Sequence, residues 1–296
     1  MLCPRRCGVD RFVRTGVCGA NDTLRVGRAA LHWWEEPCLV GDRGSGAVFF
    51  AHCALGCVYC QNKRLAEGEG VEITQERLHE ILLELQNEQR AANINLVTAS
   101  HYAPSVAEVL RELRASGALH IPVVWNTSGY ESAQTLALLE GLVDIYLVDF
   151  KYSNPTTAQR LSHASDYVGV ALVAIEQMIE QTGAPRSSEE GYLERGVIVR
   201  HLVLPGYVDD SLAALDLLYP RIRGRALLSI MNQFTIVDEA FDVRAYGLER
   251  AVSDEAYERV LDHADELGFE DYFWQEGGAA SESFVPAFDG TGVLVP

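Results

Sequence analysis

Along most of the chain, short apolar runs alternate with amphipathic stretches. The runs Ala47–Ala51, Ile94–Val97, Ile121–Trp125, Val143–Val148, Val197–Val203 and Ala226–Met231 are rich in Val, Ile, Leu and aromatics and do not alternate with polar residues. Strands buried on both faces of a parallel sheet read this way. Between them, Leu78, Ile81, Leu82 and Leu85 recur at i, i+3, i+4 and i+7. Val106, Val109, Leu110 and Leu113 repeat that spacing, and Gly117 is placed to end their helix. Glu131–Glu140 ahead of Gly141, Tyr167–Gln181 and Ser211–Leu218 supply three more helices. Six strands with five intervening helical segments predict successive right-handed βαβ units, an α/β fold. A doubly wound sheet and a barrel, full or partial, both fit that count.

The ends differ from this middle. The first 45 residues are rich in Gly, Arg and Cys and show no clean period. After Gln233 the regularity fades. One further helix is predicted from about Asp254 to Leu267, with Tyr257, Val260, Leu261 and Ala264 on one face and Gly268 at its end. The tail from Gly277-Gly278 to Pro296 carries Phe284, Phe288 and Val293, apolar groups suited to covering an open side of a barrel or building a partner surface. These shifts divide the chain into a Cys-rich segment 1–45, a regular region 46–234 and a C-terminal extension 235–296.

Charge narrows the partners. With 24 basic against 42 acidic side chains the formal charge is −18, so no general attraction draws this chain to nucleic acid or anionic lipid. A hydrophobic share of 48% with 22% charged residues excludes a disordered chain. No apolar run reaches the roughly 18 residues of a membrane span, and Met1–Arg6 lacks an apolar signal core, so a cytoplasmic location is expected. All seven cysteines lie within the first 60 residues. In a reducing compartment such clustering points to metal ligands or catalytic thiols rather than disulfides.

The sharpest motif is Cys53-x3-Cys57-x2-Cys60, directly after the first predicted strand. Active sites of barrel folds gather on such loops. Three thiolates can hold three irons of a cubane cluster and leave the fourth iron open, whereas electron-transfer clusters normally use four cysteines. A zinc site completed by His52 or Cys38, or three inert thiols, are the plainer readings of the spacing.

Cys53-x3-Cys57-x-Tyr59-Cys60 resembles the signature loop of the radical S-adenosylmethionine (SAM) superfamily. Several further segments resemble the group related to pyruvate formate-lyase activating enzymes: Cys3-Pro4-Arg5-Arg6-Cys7-Gly8-Val9, Glu35-Glu36-Pro37-Cys38, Gly44-Ser45-Gly46, Cys60-Gln61-Asn62, Val148-Asp149-Phe150-Lys151 and Arg200–Gly206. The resemblance implies a partial (β/α)6 TIM-like barrel. It also implies a [4Fe-4S] cluster on Cys53, Cys57 and Cys60, with SAM chelating the open iron through its amino and carboxylate groups. One electron then cleaves SAM to a 5′-deoxyadenosyl radical that abstracts a hydrogen atom. The implied partners are a flavodoxin- or ferredoxin-type electron donor and a protein substrate of the glycyl radical enzyme kind; another peptide or a small molecule is the alternative. Activases of this kind often carry a ferredoxin-like insertion soon after the cysteine loop, and a helix starting near Thr74 leaves no room for one.

Candidate cofactor contacts sit at strand ends. Asp149 and Lys151, two apart on one strand, point to the same side, and an acid and a base ending an apolar run are costly unless paired or functional. Lys151 is one of two lysines among 24 basic residues, which suits a need for a compact ammonium. Arg200 and His201 alternate sides, and the resemblance assigns Arg200 to SAM and leaves His201 packed outward. Thr98 and Ser100 stand where the family has a Gly-Gly-Glu-like motif for the SAM amine. Asn126-Thr127-Ser128 is a polar cluster at the third strand's end, with Ser128 read as the cap of the next helix. Tyr59, Asn232 and Gln233 complete the set, and His52 is read as a loop histidine.

Cys3, Cys7, Cys18 and Cys38 form a second candidate metal set, iron–sulfur or zinc. In the resembled group another Cys precedes Cys3 by three residues, a place that falls before Met1 here. Glu35 and Glu36 read as structural acids paired with nearby arginines.

Overall fold

The computed structural model describes residues 2–235, 243–275 and 285–294. In chain order the elements are β1 (Leu24–His32), α1 (Pro37–Val40), β2 (Ser45–Phe50), α2 (Lys63–Ala66), β3 (Val71–Ile73), α3 (Gln75–Asn87), β4 (Ile94–Val97), α4 (Ala103–Ala115), β5 (Val123–Thr127) and α5 (Ala133–Leu139). Then come β6 (Ile145–Asp149), α6 (Pro155–Ser162), α7 (Tyr167–Thr182), β7 (Arg186–Ser187), β8 (Leu193–Leu202), α8 (Val208–Ile222), β9 (Leu227–Met231), α9 (Asp254–Leu267) and β10 (Tyr272–Trp274).

The six predicted apolar runs are β2, β4, β5, β6, β8 and β9, paired in parallel in that order. Helices α3, α4, α5, α7 and α8 supply the crossovers. They bury Leu78, Ile81, Leu82 and Leu85 on α3 and Val106, Val109, Leu110 and Leu113 on α4 against the sheet. The strand path runs β10-β9-β8-β6-β5-β4-β2-β1-β3 and does not close, so the barrel is partial. Thr74 caps α3 by accepting from the Arg77 amide at 3.2 Å.

Three local expectations change. Residues 24–32 form β1, antiparallel to β2, inside the segment that shows no period. A register shift between Val26 and Arg28 breaks the alternation that would have betrayed the strand. The cap of α5 is Ser132, whose Oγ accepts from the Thr135 amide at 3.1 Å, and not Ser128. The polar helix α6 carries only Ala158 and Leu161 as buried apolar residues, too few for a periodic signal.

In the tail, Val285–Leu294 lies along β1: the Gly290 amide donates to Gly27 O at 2.9 Å, and Ala29 donates to Thr291 O at 2.9 Å. Phe288 packs edge-on against Phe49 with ring centroids 5.6 Å apart, and Val293 is buried. Gly277, Gly278, Phe284 and Pro296 lie outside the described residues. Among the described residues no helix is long and apolar enough to cross a membrane.

Candidate cofactor and metal site

The loop from Ala51 to Asn62 leaves the C-terminal end of β2 and returns to α2. Its course is pinned by backbone bonds: His52 N donates to Leu65 O at 2.8 Å, Val58 N to Leu161 O at 2.9 Å and Cys60 N to Cys57 O at 3.2 Å. Cys53, Cys57 and Cys60 all line one cavity of about 220 Å³ at the mouth of the parallel strands. Tyr59, Thr98, Asn126, Ser128, Asp149, Lys151 and Arg200 line it too. Cys53, Cys57 and Cys60 remain free thiols, and burial pushes the Cys57 pKa up and that of Cys60 to about 12.

Below the thiols runs a buried ionic network. Lys151 Nζ donates to Asp149 Oδ2 at 2.7 Å, and Arg200 Nε donates to Asp149 Oδ1 at 2.9 Å. Arg200 Nη1 reaches Glu35 Oε2 at 3.0 Å and Nη2 reaches Asn126 Oδ1 at 2.8 Å. Glu35 Oε1 accepts from Asn95 at 3.0 Å and from Asn126 at 3.1 Å. Two acids and two bases thus balance one another at 7–17% side-chain exposure. Burial pushes the Asp149 carboxyl up, but Lys151 and Arg200 outweigh it and hold its pKa below the usual carboxylate value. Burial lowers the Lys151 pKa, yet Asp149 and the Cys57 thiol beside it leave it raised overall. Arg200 has every nitrogen engaged within the protein. Among the described residues Lys151 Nζ makes one side-chain hydrogen bond with its three N–H donors, and it lines the same cavity as the thiols, so it is the cation best placed to meet an incoming anion.

Other candidates fall elsewhere. Ser100 Oγ turns away from the cavity and donates to the buried Glu131 Oε1, which also accepts from Thr127 at 2.6 Å and Trp125 at 3.1 Å. Thr98 lines the cavity at φ 60°, a left-handed conformation rare for a β-branched residue. Asn232 lies behind the wall, its amide donating to Gln275 Oε1 at 2.8 Å, while Gln233 lines the cavity. His201 is buried with Nδ1 2.7 Å from Phe150 O, and His52 lines the cavity.

The upstream cysteines separate. The Sγ atoms of Cys7 and Cys18 both come within 3.5 Å of the point where a Cβ on Gly16 would stand. Cys38 instead packs with Leu39, Val124 and Ile145 in a satellite core, where burial pushes its thiol up to about 12. Among the described residues no three His, Cys, Asp or Glu side chains are placed around a single metal ion. A lone zinc draws its sulfur ligands to within roughly 4 Å of one another, given Zn–S bonds of about 2.3 Å. Three cysteines lining one cavity leave one iron of a cubane cluster without a protein ligand, and this donor set beside an ammonium fits such a cluster.

Sequence reading missed Glu35 as part of this site, and missed Tyr152 and Ser162 behind the cysteine loop. Ser162 Oγ stands 3.0 Å from Cys57 Sγ, and Tyr152 Oη stands 2.6 Å from Ser162 Oγ and 2.8 Å from Tyr59 Oη. The Asn154-Pro155 pair, cap and first residue of α6, was the available signal for that helix.

An uncharacterized protein of Methanocaldococcus jannaschii is 26% identical over 278 residues, which is 91% of this chain and 75% of that one. A radical SAM methyltransferase from Sphaerobacter thermophilus shares the fold at a TM-score of 0.54 and 14% identity, covering 80% of this chain and 68% of its own. A domain of a pyruvate-formate lyase-activating enzyme from Bacteroides vulgatus overlaps at a TM-score of 0.42 and 10% identity, covering 60% and 92%. The Radical SAM superfamily model matches residues 48–218, from β2 through α8, and so takes in every cavity-lining strand but β1 and β9. That match spans more than half of the sequence, and the chain belongs to the radical SAM superfamily.

Proposed function

We propose that the protein cleaves SAM reductively at a [4Fe-4S] cluster held by Cys53, Cys57 and Cys60 and abstracts a hydrogen atom from a peptide or protein substrate. The observation that carries this reading is the single cavity shared by three thiols and the Asp149–Lys151–Arg200 network. When bound, cluster and SAM supply one-electron cleavage of a carbon–sulfur bond and a hydrogen-abstracting carbon radical.

The chain's own residues position these groups. The Lys151 ammonium offers two N–H donors toward the SAM carboxylate. Asp149 fixes that ammonium and is itself fixed by Arg200. Ser128 offers polar atoms to the ribose, while Asn126 and Thr127 are held by Arg200, Glu35 and Glu131 and shape the wall beside it, and Phe49, Phe50 and Leu202 give the adenine an apolar wall. Val285 and Pro286 of the tail narrow the mouth and exclude water.

Anaerobic reconstitution tests the reading. The protein should bind about four irons and release 5′-deoxyadenosine after reduction, and Cys53→Ala, Cys57→Ala and Cys60→Ala should abolish both. Protein that binds one zinc and never cleaves SAM would exclude it. For the substrate, a glycyl radical enzyme partner incubated with the protein, SAM and a reduced flavodoxin should develop a protein radical signal.

A further inference from the structure

The cysteine loop does not stand alone against the cavity; its rear is held to α6. Arg5 Nε donates to Ala54 O at 2.8 Å, and its Nη2 donates to Leu55 O at 3.0 Å and to Ser162 O at 2.8 Å. The same guanidinium also meets His163 O. Val58 N donates to Leu161 O at 2.9 Å. Loop and helix end are therefore tied at two places that flank Cys57, and the distance between Ser162 and Cys57 is fixed rather than incidental. α6 ends there, because His163 takes a left-handed φ of 52°.

Ser162 is fully buried and its Oγ stands 3.0 Å from Cys57 Sγ. Behind it, Tyr152 Oη and Tyr59 Oη extend a row of hydroxyls at 2.6 and 2.8 Å. Each hydroxyl carries one proton. A sulfur that carries negative charge accepts and cannot donate, so Ser162 donates to it and the 2.6 Å contact then takes Tyr152 as donor to Ser162; Tyr59 must in turn donate to Tyr152, the reverse of the Tyr152-to-Tyr59 bond present beside the free thiol. Aligned hydroxyls polarise one another and strengthen the terminal bond. Tyr59 also belongs to the cysteine loop, so the row begins and ends on the same loop.

From this geometry we infer that Ser162, backed by Tyr152, is a positioning residue that tunes the reduction potential of the cluster through Cys57. The inference rests on the cluster reading above. A hydrogen bond to a ligating sulfur stabilises the more electron-rich, reduced cluster, and such bonds are one of the protein's levers on cluster potential. Burial alone would disfavour the added negative charge; the hydroxyl row offsets it at one sulfur.

Redox titration of the reconstituted protein, followed by the electron paramagnetic resonance signal of the reduced cluster, is the test. In Ser162→Ala the midpoint should move negative, so that the reduced-to-oxidised ratio at a fixed potential falls about tenfold, 59 mV for one electron. Ser162→Thr keeps the hydroxyl and should retain the wild-type midpoint. Tyr152→Phe should shift it in the same direction by less, since it removes only the polarising neighbour. Iron content and circular dichroism of each variant show that the loop still folds. An unchanged midpoint in folded, iron-loaded Ser162→Ala overturns the inference. Wild-type protein that never assembles a cluster overturns the underlying reading instead.

Discussion

Glu35 Oε2 stands 3.0 Å from Arg200 Nη1 across 165 residues of sequence. The loop after β1 thus enters the barrel and seals its ionic floor. Glu35→Gln keeps the volume and removes the charge, leaving the largely buried Arg200 with one carboxylate fewer. Breaking a buried pair by removing one partner costs about 3 kcal/mol or more. Chemical denaturation should show that loss for Glu35→Gln. The double variant Glu35→Gln, Arg200→Gln should cost less than the two single changes added together, and strict additivity would show that the two residues do not act as a pair.

Lys151 is expected to be the main cationic contact for SAM. Lys151→Met should weaken SAM binding in calorimetry by roughly tenfold to a hundredfold, the range for a charge-assisted hydrogen bond of about 1.5–3 kcal/mol. Lys151→Arg should restore little, because a guanidinium fork does not fit where a compact ammonium meets both Asp149 and the thiol wall. Unaltered SAM affinity in Lys151→Met would remove this residue from the site.

Much of this molecule was legible in its sequence, for identifiable reasons. The six parallel strands are long apolar runs because both of their faces are buried, and the cysteine loop announces itself by spacing. Asp149 and Lys151 were visible because charges rarely end such a run. Glu35 was not, since its partner Arg200 is contributed by β8 and nothing local points there. β1 hides behind its register shift, and α6 behind its polar face, which also conceals Ser162. Cys38 looked like a ligand by composition, but the chain carries it into the satellite core with Leu39. Ser100 lay at the right strand end, yet Glu131 from the next loop claims its hydroxyl.

Glu36 gives the molecule a pH dependence of definite sign. It is buried, its Oε2 has no hydrogen-bond partner among the described residues, and burial raises its pKa above the ordinary carboxylate value. A group whose folded pKa is raised favours the folded state when protonated. Its contribution is therefore fully present below the unfolded value near 4.5 and is lost as pH rises through the folded value. Glu36→Gln, which cannot ionise, should be close to wild type in stability at pH 4 and more stable by about 1 kcal/mol or more at pH 8. Urea melts at both values check this. A difference that does not grow between them would place a well-solvated carboxylate at this position. Asp149 acts in the opposite sense: its folded pKa is lowered, so its contribution is present above about 3.8 and lost as pH falls below it.

Thr98 holds a left-handed φ of 60° where the family resemblance places glycine. Its amide donates to Asn126 O at 2.9 Å, so the conformation is set by the β4–β5 ladder and the turn that follows, not by the side chain. A β-branched residue pays roughly 1–2 kcal/mol to stay there. Thr98→Gly relieves that strain while adding freedom to the unfolded chain, which returns about 0.4–1 kcal/mol. The net expectation is a stability equal to wild type or higher by about 1 kcal/mol. Thr98→Val keeps the shape, the strain and the β-branch but deletes the hydroxyl. If that hydroxyl contacts SAM, Thr98→Val should weaken SAM binding several-fold at unchanged stability, and Thr98→Gly should do the same. Equal SAM affinity in all three proteins would assign the contact to the backbone, and reduced stability in Thr98→Gly would show that the threonine side chain, not the ladder, holds this turn.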